Sequence, residues 1–164
     1  TIHHSPLTIY HMITWQCKYF TQLTNEEIYR ILQLRNEVFI VEQNCCYQDL
    51  DNKDLKGYHL CGWKDEKLVA YTRLLDKGIS YPDAPSIGRV VTSRSIRGQN
   101  FGKELMQRSI EETYRLFGKT VIKISAQLYL KKFYESFSFY QQGEPYLEDF
   151  IRHILMIRES DPQQ

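Results

Sequence analysis

The stretch VVTSRSIRGQNFGK, Val90 to Lys103, decides how this chain is read. A β-branched run stops at polar residues. Arg97 follows, then two glycines four apart, Gly98 and Gly102, and then a strongly periodic helix. Strand, tight loop and helix start come in immediate succession. The first N–H groups of a helix have no partner inside it, and the helix dipole leaves them partly positive. A glycine there lets the backbone approach a ligand with no Cβ in the way. Such a junction is a ready site for a phosphate or pyrophosphate. An ordinary strand-to-helix turn, whose glycines only satisfy geometry, accounts for the same residues, so the rest of the chain must decide.

Downstream, Leu105, Ser109, Ile110, Thr113, Leu116 and Phe117 fall on one helical face, and Gly118 ends the helix. Val121 to Ala126 reads as a strand, Leu130 to Phe137 as a short aromatic helix. The regions near Phe139 to Gly143 and Phe150 to Ile157 read as two last strands. Upstream, Gly78 to Ser86 carries two prolines and reads as a loop before the strand Ile87 to Thr92. Tyr58 to Trp63 and Lys67 to Leu75 form a hairpin through Lys64-Asp65-Glu66. Asn44 to Lys56 is a polar loop with Asp49, Asp51 and Asp54. Thr24 and Glu27 make a capping box for a helix that carries Ile28, Ile31, Leu32, Arg35, Val38 and Phe39 on one face. Met12 to Phe20 supplies a first strand. Alternating strands and helices without repeat or linker give one mixed α/β domain over 12–160. Residues 1–11 hold three of the five histidines and no helical pattern. They read as an extension, vector-derived or translated from upstream, and 161–164 as a tail.

Composition narrows the function. A chain of 164 residues suits one domain that buries roughly 70% of its unfolded surface. With 42% hydrophobic and 25% charged residues it has a soluble globular composition. Lys plus Arg number 21 against 20 Asp plus Glu, so no basic field points to nucleic acid. No apolar run approaches the ~20 residues of a membrane span, and no stretch has the signal-peptide pattern. Cys17, Cys45, Cys46 and Cys61 form no CxxC pair and have no histidine at zinc spacing, which argues against a metal. Adjacent Cys45 and Cys46 cannot bond each other without strain, so all four read as reduced thiols of a cytoplasmic protein. A monomer or homodimer fits equally.

Several further segments carry a family resemblance. Ala126-Gln127 precedes Phe133-Tyr134-Glu135-Ser136-Phe137-Ser138-Phe139. Leu34-Arg35-Asn36-Glu37-Val38-Phe39 and Val41-Glu42-Gln43 precede Tyr47-Gln48-Asp49-Leu50-Asp51. His59 stands before Leu60-Cys61-Gly62-Trp63, and Ile151-Arg152-His153 before Met156. Together with Arg97-Gly98-Gln99-Asn100-Phe101-Gly102 they resemble, in the right order, the GNAT N-acetyltransferases, and among them the ElaA-type subfamily. The likeness covers about Met12 to Glu159. It implies a single GNAT-like domain: a mixed central sheet of six to seven strands, about four flanking helices, and splayed strands that hold acetyl-CoA. Asn100 and Ser138 stand where the family usually has glycine. Asparagine tolerates the left-handed backbone such a position needs.

The resemblance implies transfer of an acetyl group from acetyl-CoA directly to an amine of a small molecule or peptide. Arg97, Gly98, Gln99, Asn100, Phe101, Gly102 and Lys103 would hold the pyrophosphate; Arg94 would pair with a phosphate or stand in a solvated basic rim, and Lys131 and Lys132 are weaker phosphate partners. Main-chain groups of Val90, Val91 and Thr92 would contact the pantetheine and the acetyl carbonyl; one fixed donor there is worth about 3 kcal/mol. Gln127 occupies the place of a family asparagine that bonds CoA, or it caps the next helix. Tyr134 occupies the family's general-acid position: a phenol of pKa near 10 can protonate a leaving thiolate. By spacing alone it would be a core aromatic. The attacking amine must lose a proton, and a lysine-type amine has a pKa of about 10.4. Glu42, Asp49, Asp51, His59 and His153 are candidate acceptors, with Glu42 and His153 foremost. A polar loop explains Asp49 and Asp51 as well, and a hydrogen-bonded strand histidine explains His59. Acyl-homoserine-lactone synthesis on the same fold and non-catalytic acyl-CoA sensing are the rival readings.

Overall fold

A computed structural model describes residues 12–160. The expected extension 1–11 and tail 161–164 lie outside the described residues. Seven strands form one sheet: β1 (Thr14–Tyr19), β2 (Tyr58–Lys64), β3 (Lys67–Leu75), β4 (Ser86–Thr92), β5 (Ile122–Gln127), β6 (Tyr140–Glu148) and β7 (Ile151–Arg158). Their order is β1-β2-β3-β4-β5-β7-β6. Every neighbouring pair is antiparallel except β4 with β5. The helices are α1 (Asn25–Arg35), α2 (Phe101–Phe117) and α3 (Lys131–Glu135); α1 runs on as a π-helical stretch, Asn36–Glu42. No helix among the described residues is long and apolar enough to cross a membrane.

The helices divide between the two faces of the sheet. Met106 and Ile110 of α2 and Tyr134 of α3 pack with Ile87, Ile122, Ile124, Ala126, Ile154 and Met156. On the opposite face Ile31, Leu34, Val38 and Phe39 pack on Cys61, Tyr71 and Val91. Thr24 caps α1 as the sequence predicts: its hydroxyl accepts from Glu27 N–H, and Glu27 accepts from Thr24 N–H. Gly118 caps α2 with φ 84°, a conformation that favours glycine.

The parallel pair is where the sheet opens. β4 and β5 share a single register pair, Ser86 with Lys123, and diverge beyond it. β4 is also bulged. Tyr71 pairs with Val91 and Arg73 with Gly88, so Arg89 and Val90 together oppose Thr72. Arg89 takes a positive φ of 54° at that bulge. An extra residue bends a strand and sharpens its twist, and Val90, Val91 and Thr92, just past the bulge, border the gap.

Asn100 (φ 64°) and Ser138 (φ 65°) are both left-handed. Their sites therefore keep the backbone that the family's glycines would adopt. A non-glycine residue there costs roughly 1–2 kcal/mol, partly offset by glycine's greater chain entropy. Ser138→Gly is accordingly expected to stabilise the protein by about 1 kcal/mol. That would raise the melting temperature by roughly 2–4 °C for a domain this size. A calorimetric scan showing no rise would mean that the serine side chain supplies a compensating interaction.

Two elements depart from the sequence reading. β6 continues past Gly143 to Glu148, through Glu144-Pro145, with its register broken between Gln142 and Tyr146. Proline reads as a strand breaker, but β6 lies at the sheet edge, where a missing N–H costs no ladder bond. The polar loop at 44–56 is also more than a solvated loop, because Asp49 and Asp54 are buried. Arg35, on the apolar face of α1, is completely buried and explains them. Its Nε donates to Asp49 at 2.8 Å and its Nη1 to Asp54 at 2.7 Å. Arg73 grips both oxygens of Asp51 at 2.7 and 2.8 Å and reaches Asp54 at 2.9 Å. Arg89 donates to Asp49 at 2.7 Å and lies 3.5 Å from Asp51. The three arginines and three aspartates close a ring.

Asp49 and Asp51 are thereby removed as proton acceptors for a substrate. Burial raises the Asp51 carboxyl, but the Arg73 hydrogen bonds outweigh it and hold it at about 2. His59 is likewise structural. Its Nε2 faces the Asp54 carbonyl at 3.0 Å and its Nδ1 the Tyr71 hydroxyl at 2.8 Å. A carbonyl only accepts, so Nε2 carries the proton and Nδ1 accepts from Tyr71. Both ring nitrogens are occupied, and burial pushes the imidazole below its ordinary 6.5.

Candidate active site

A cleft of about 970 Å³ opens where β4 and β5 part. Val90, Val91 and Thr92 line it from β4, Gln127 from β5, Tyr134 from α3 and His153 from β7. Glu42, at the end of the π-helical stretch, and Arg94, Arg97 and Gly102 form its rim toward α2. Gly98, Gln99, Asn100, Phe101 and Lys103 do not line it with side chains. Gly98, Gln99 and Asn100 are an exposed turn, Lys103 is exposed, and Phe101 packs inward beside Ile96 and Leu105. What this segment presents is its backbone. Among the described residues the N–H groups of residues 98–102 have no main-chain partner, whereas those of Lys103 and Glu104 both donate to the Asn100 carbonyl.

These residues fit a pyrophosphate. Free amides at the start of a seventeen-residue helix, two guanidinium groups and an open glycine supply both charge and room. A Cβ built at Gly102 would meet nothing within 4 Å. Gly102→Val should therefore leave the fold intact, and if this loop holds the pyrophosphate that the resemblance implies, the valine should obstruct it and weaken acetyl-CoA binding. Asn100→Gly should be tolerated. Titration calorimetry on the two variants checks this, and unchanged affinity in Gly102→Val would remove the pyrophosphate from this loop.

The arginines are tied back at present. Glu42 Oε2 accepts from Arg97 at 2.7 Å, and Glu42 Oε1 lies 3.2 Å from Arg94 Nε. Arg97 also donates to the Thr92 carbonyl at 2.9 Å. Lys131 donates to Gln141 at 2.9 Å, away from the loop.

Tyr134 is 6% exposed, its ring edge-on to Phe133 and Phe139. Among the described residues its hydroxyl has no hydrogen-bond partner, although the side chain forms part of the cleft wall. Burial pushes the phenol up, so it stays protonated and able to donate at neutral pH. It is a core aromatic and a cleft residue at once.

His153 meets the cleft from the other face. Its Nδ1 lies 2.8 Å from the Ile151 carbonyl, which can only accept. Nδ1 therefore carries the proton in the neutral ring, and Nε2 keeps its lone pair. The ring stacks on Tyr146 at 6.2 Å. Gln127 is its register partner across β5 and β7 and pairs with Gln43 at 3.3 Å. That bond bridges α1's extension to β5. Gln127 makes no side-chain cap on the following turn, so the capping alternative is set aside.

The sequence reading missed several wall residues: Gln43, Tyr81, Ser125, Tyr146, Glu148 and Asp149. Three of them, Tyr146, Glu148 and Asp149, belong to the part of the hairpin that Gly143 and Pro145 disguise. No group of three or more His, Cys, Asp or Glu side chains among the described residues is placed to hold a metal.

Comparison with known proteins agrees with this fold. The family described as "Acetyltransferase (GNAT) domain" matches residues 21–160. Protein ElaA of Escherichia coli K12 is 43% identical over 150 residues, 90% of this chain and 97% of that protein. The crystal structure of E. coli ElaA superposes with a TM-score of 0.84 at 41% identity, covering 90% of this chain and all of the other. An acyl-CoA N-acyltransferase from Pseudomonas aeruginosa superposes with a TM-score of 0.83 at 44% identity over 88% of this chain and 99% of that one.

Proposed function

The chain belongs to the GNAT acetyltransferase family, and from that premise we propose that it moves an acetyl group from acetyl-CoA directly to a primary amine, in the cytoplasm. The observation that carries this reading is a cleft that has Gly102 at the start of α2, Tyr134 and His153 all on its wall.

In this reading the amides of residues 98–102, with Arg97 and Arg94, hold the pyrophosphate. Main-chain groups of Val90, Val91 and Thr92, just past the bulge at Arg89, receive the pantetheine and polarise the thioester carbonyl. Gln127 adds a side-chain bond. His153 Nε2 takes the proton from the attacking amine, directly or through water. Tyr134 gives its proton to the departing thiolate. Glu42 remains an acceptor-side candidate, but both its oxygens engage guanidinium groups, so taking a proton there means giving up an ion pair. His153 is the better-placed base. All four cysteines are free thiols, with Cys45 and Cys61 buried, and direct transfer needs none of them.

The test is release of free thiol from acetyl-CoA against a panel of amines. Amine-dependent release is the expected result. A protein that binds acetyl-CoA yet releases no thiol with any amine would be a sensor. His153→Ala should lower kcat about a hundredfold while leaving acetyl-CoA affinity in place, and a variant with normal kcat would take His153 off the site.

A further inference from the structure

We propose that the apex of the cleft, where β4 and β5 still pair, holds a carboxylate of the acceptor, so that the preferred substrate is an ω-amino carboxylate. The inference rests on the transfer reading above and names its substrate class.

β4 and β5 meet at Ser86 and Lys123 and part beyond that pair. Across β3, Arg73 is the register partner of Gly88 and Leu75 of Ser86, and all four residues line the cleft. They form the floor of its apex. Lys53 stands beside them: its N–H and Arg73 Nη1 both donate to Asp51 Oδ1, at 3.1 and 2.7 Å. Its ammonium lies on the cleft wall and donates to the Ser80 hydroxyl at 3.2 Å.

Two features of this floor point to a ligand. Ser86 is only 6% exposed, yet no described residue meets its hydroxyl. That hydroxyl is not sealed in either. Among the described residues only Trp63 Nε1 and Arg73 Nε are shut from solvent without a partner. The Ser86 hydroxyl therefore opens on the cleft, and a buried polar group costs free energy unless something else meets it. Gly88 is the second feature. Its φ is not left-handed, so the backbone does not demand glycine there. A Cβ built on it would meet nothing within 4 Å, and a β-branched residue would suit the strand better. What the glycine leaves is room above the floor.

Charge selects the ligand. Arg35, Arg73 and Arg89 balance Asp49, Asp51 and Asp54, three against three. Lys53 has no carboxylate partner for its ammonium among the described residues and adds a positive charge to that neutral ring. Arg89 spends Nε and Nη2 on Asp49 and leaves Nη1 unbonded. The open carboxylates of the wall, Glu148 and Asp149, belong to the β6–β7 hairpin on the other side of β5, where Ser125 holds Glu148 at 2.6 Å. An ammonium, a guanidinium N–H and a hydroxyl are all donors, and donors with net positive charge suit a carboxylate.

The spacing sets the length. Ser86 stands four residues before Val90 on β4, roughly 13 Å along an extended strand. The amine must reach the thioester near Val90 and His153. Amine and carboxylate therefore stand at opposite ends of a chain of several bonds rather than on one carbon.

The test compares 4-aminobutyrate and 6-aminohexanoate, each with its primary amide, which keeps the length and the reacting amine and removes the charge. Thiol release gives kcat/KM for each. Calorimetry on CoA-saturated protein gives the affinity for each without turnover. At one length or both the carboxylate should be favoured about tenfold or more, mostly through KM, the scale of one hydrogen bond to a charged group. In Lys53→Met the preference should fall to within about twofold, with acetyl-CoA affinity unchanged. Gly88→Val should keep the fold and the acetyl-CoA affinity and raise KM for the carboxylate about tenfold or more. Weakened acetyl-CoA binding in Gly88→Val would give the apex to the cofactor and overturn this proposal. Equal use of acid and amide, or preference for the amide, would overturn it and leave the transfer reading standing. Carboxylate binding that depends on Lys53 but gives no turnover would support the seat and overturn the transfer reading. Neither binding nor turnover of the two acids would overturn this proposal, and the wider amine panel would then judge transfer alone.

Discussion

Arg35→Met is expected to cost the protein about 3–5 kcal/mol, the usual loss when one partner leaves a buried ion pair. Arg35 is completely buried. Methionine would fill much of the same space, so the loss comes from charge rather than from a cavity. Asp49 and Asp54 would stay in the interior with two arginines left to serve three aspartates. Domains have a total stability of about 5–15 kcal/mol, so the midpoint of urea unfolding should fall by a large fraction. Arg35→Lys keeps the charge but offers one ammonium to two carboxylates, and should lose less. A methionine variant as stable as the parent would show that the ring has no net stabilising effect. Acid should strain the same ring. Asp51 is held at about 2 against an ordinary 3.8. Its contribution is therefore complete above the ordinary value and disappears as pH falls through about 2. The ring also reaches the cleft, because Asp49 fixes Arg89 at the bulge beside Val90 and Val91, which line it. Acetyl-CoA affinity should weaken along with stability.

The frame of this fold was open to sequence reading because its signals are local. The capping box at Thr24, the hairpin at Asp65 and the glycine after Phe117 each act within a turn of chain, and each formed where its residues stand. The strand, glycine loop and helix start at 90–103 were legible for the same reason, because a loop followed by a helix N-terminus is a local device. Asn100 looked like a departure from the glycine pattern, yet its left-handed backbone keeps the device intact. The acceptor side was not legible, because its partners are distant in sequence. Arg35 could be placed on an apolar helical face, but nothing along the chain says that Asp49 and Asp54 close over it. The aspartates looked available for chemistry because their arginines come from α1, β3 and β4. Glu148 was hidden for another reason. Gly143 and Pro145 mimic a strand end, and only the edge position of β6 makes that pair tolerable.

The two faces of the sheet therefore bring different kinds of group to the gap between β4 and β5. From the α2–α3 side come unpartnered amides and a neutral phenol, all donors. From the α1 side come a histidine lone pair and the apex that seats the acceptor. An acyl transfer to an amine needs both: donors toward the phosphates, the oxyanion and the leaving thiolate, and a seat for the incoming amine with an acceptor for its proton.

Tyr134→Phe tests the donor half most directly, and its expected effect is the largest on activity. Phenylalanine keeps the ring contacts with Phe133 and Phe139 and removes only the hydroxyl. That hydroxyl makes no hydrogen bond within the described residues, so the fold should not miss it, and acetyl-CoA should bind nearly as well. The rate should fall roughly 10²- to 10⁴-fold, the range for loss of a positioned acid or base. The fall should appear in kcat more than in KM, because proton donation matters most as the carbon–sulfur bond breaks. Burial holds the phenol above its ordinary value, so the parent should show no loss of this donor as pH rises through the neutral range. A variant with near-normal kcat would return Tyr134 to the core and leave water to protonate the thiolate. A variant with weakened acetyl-CoA binding and unaltered kcat would make the hydroxyl a binding group instead of an acid.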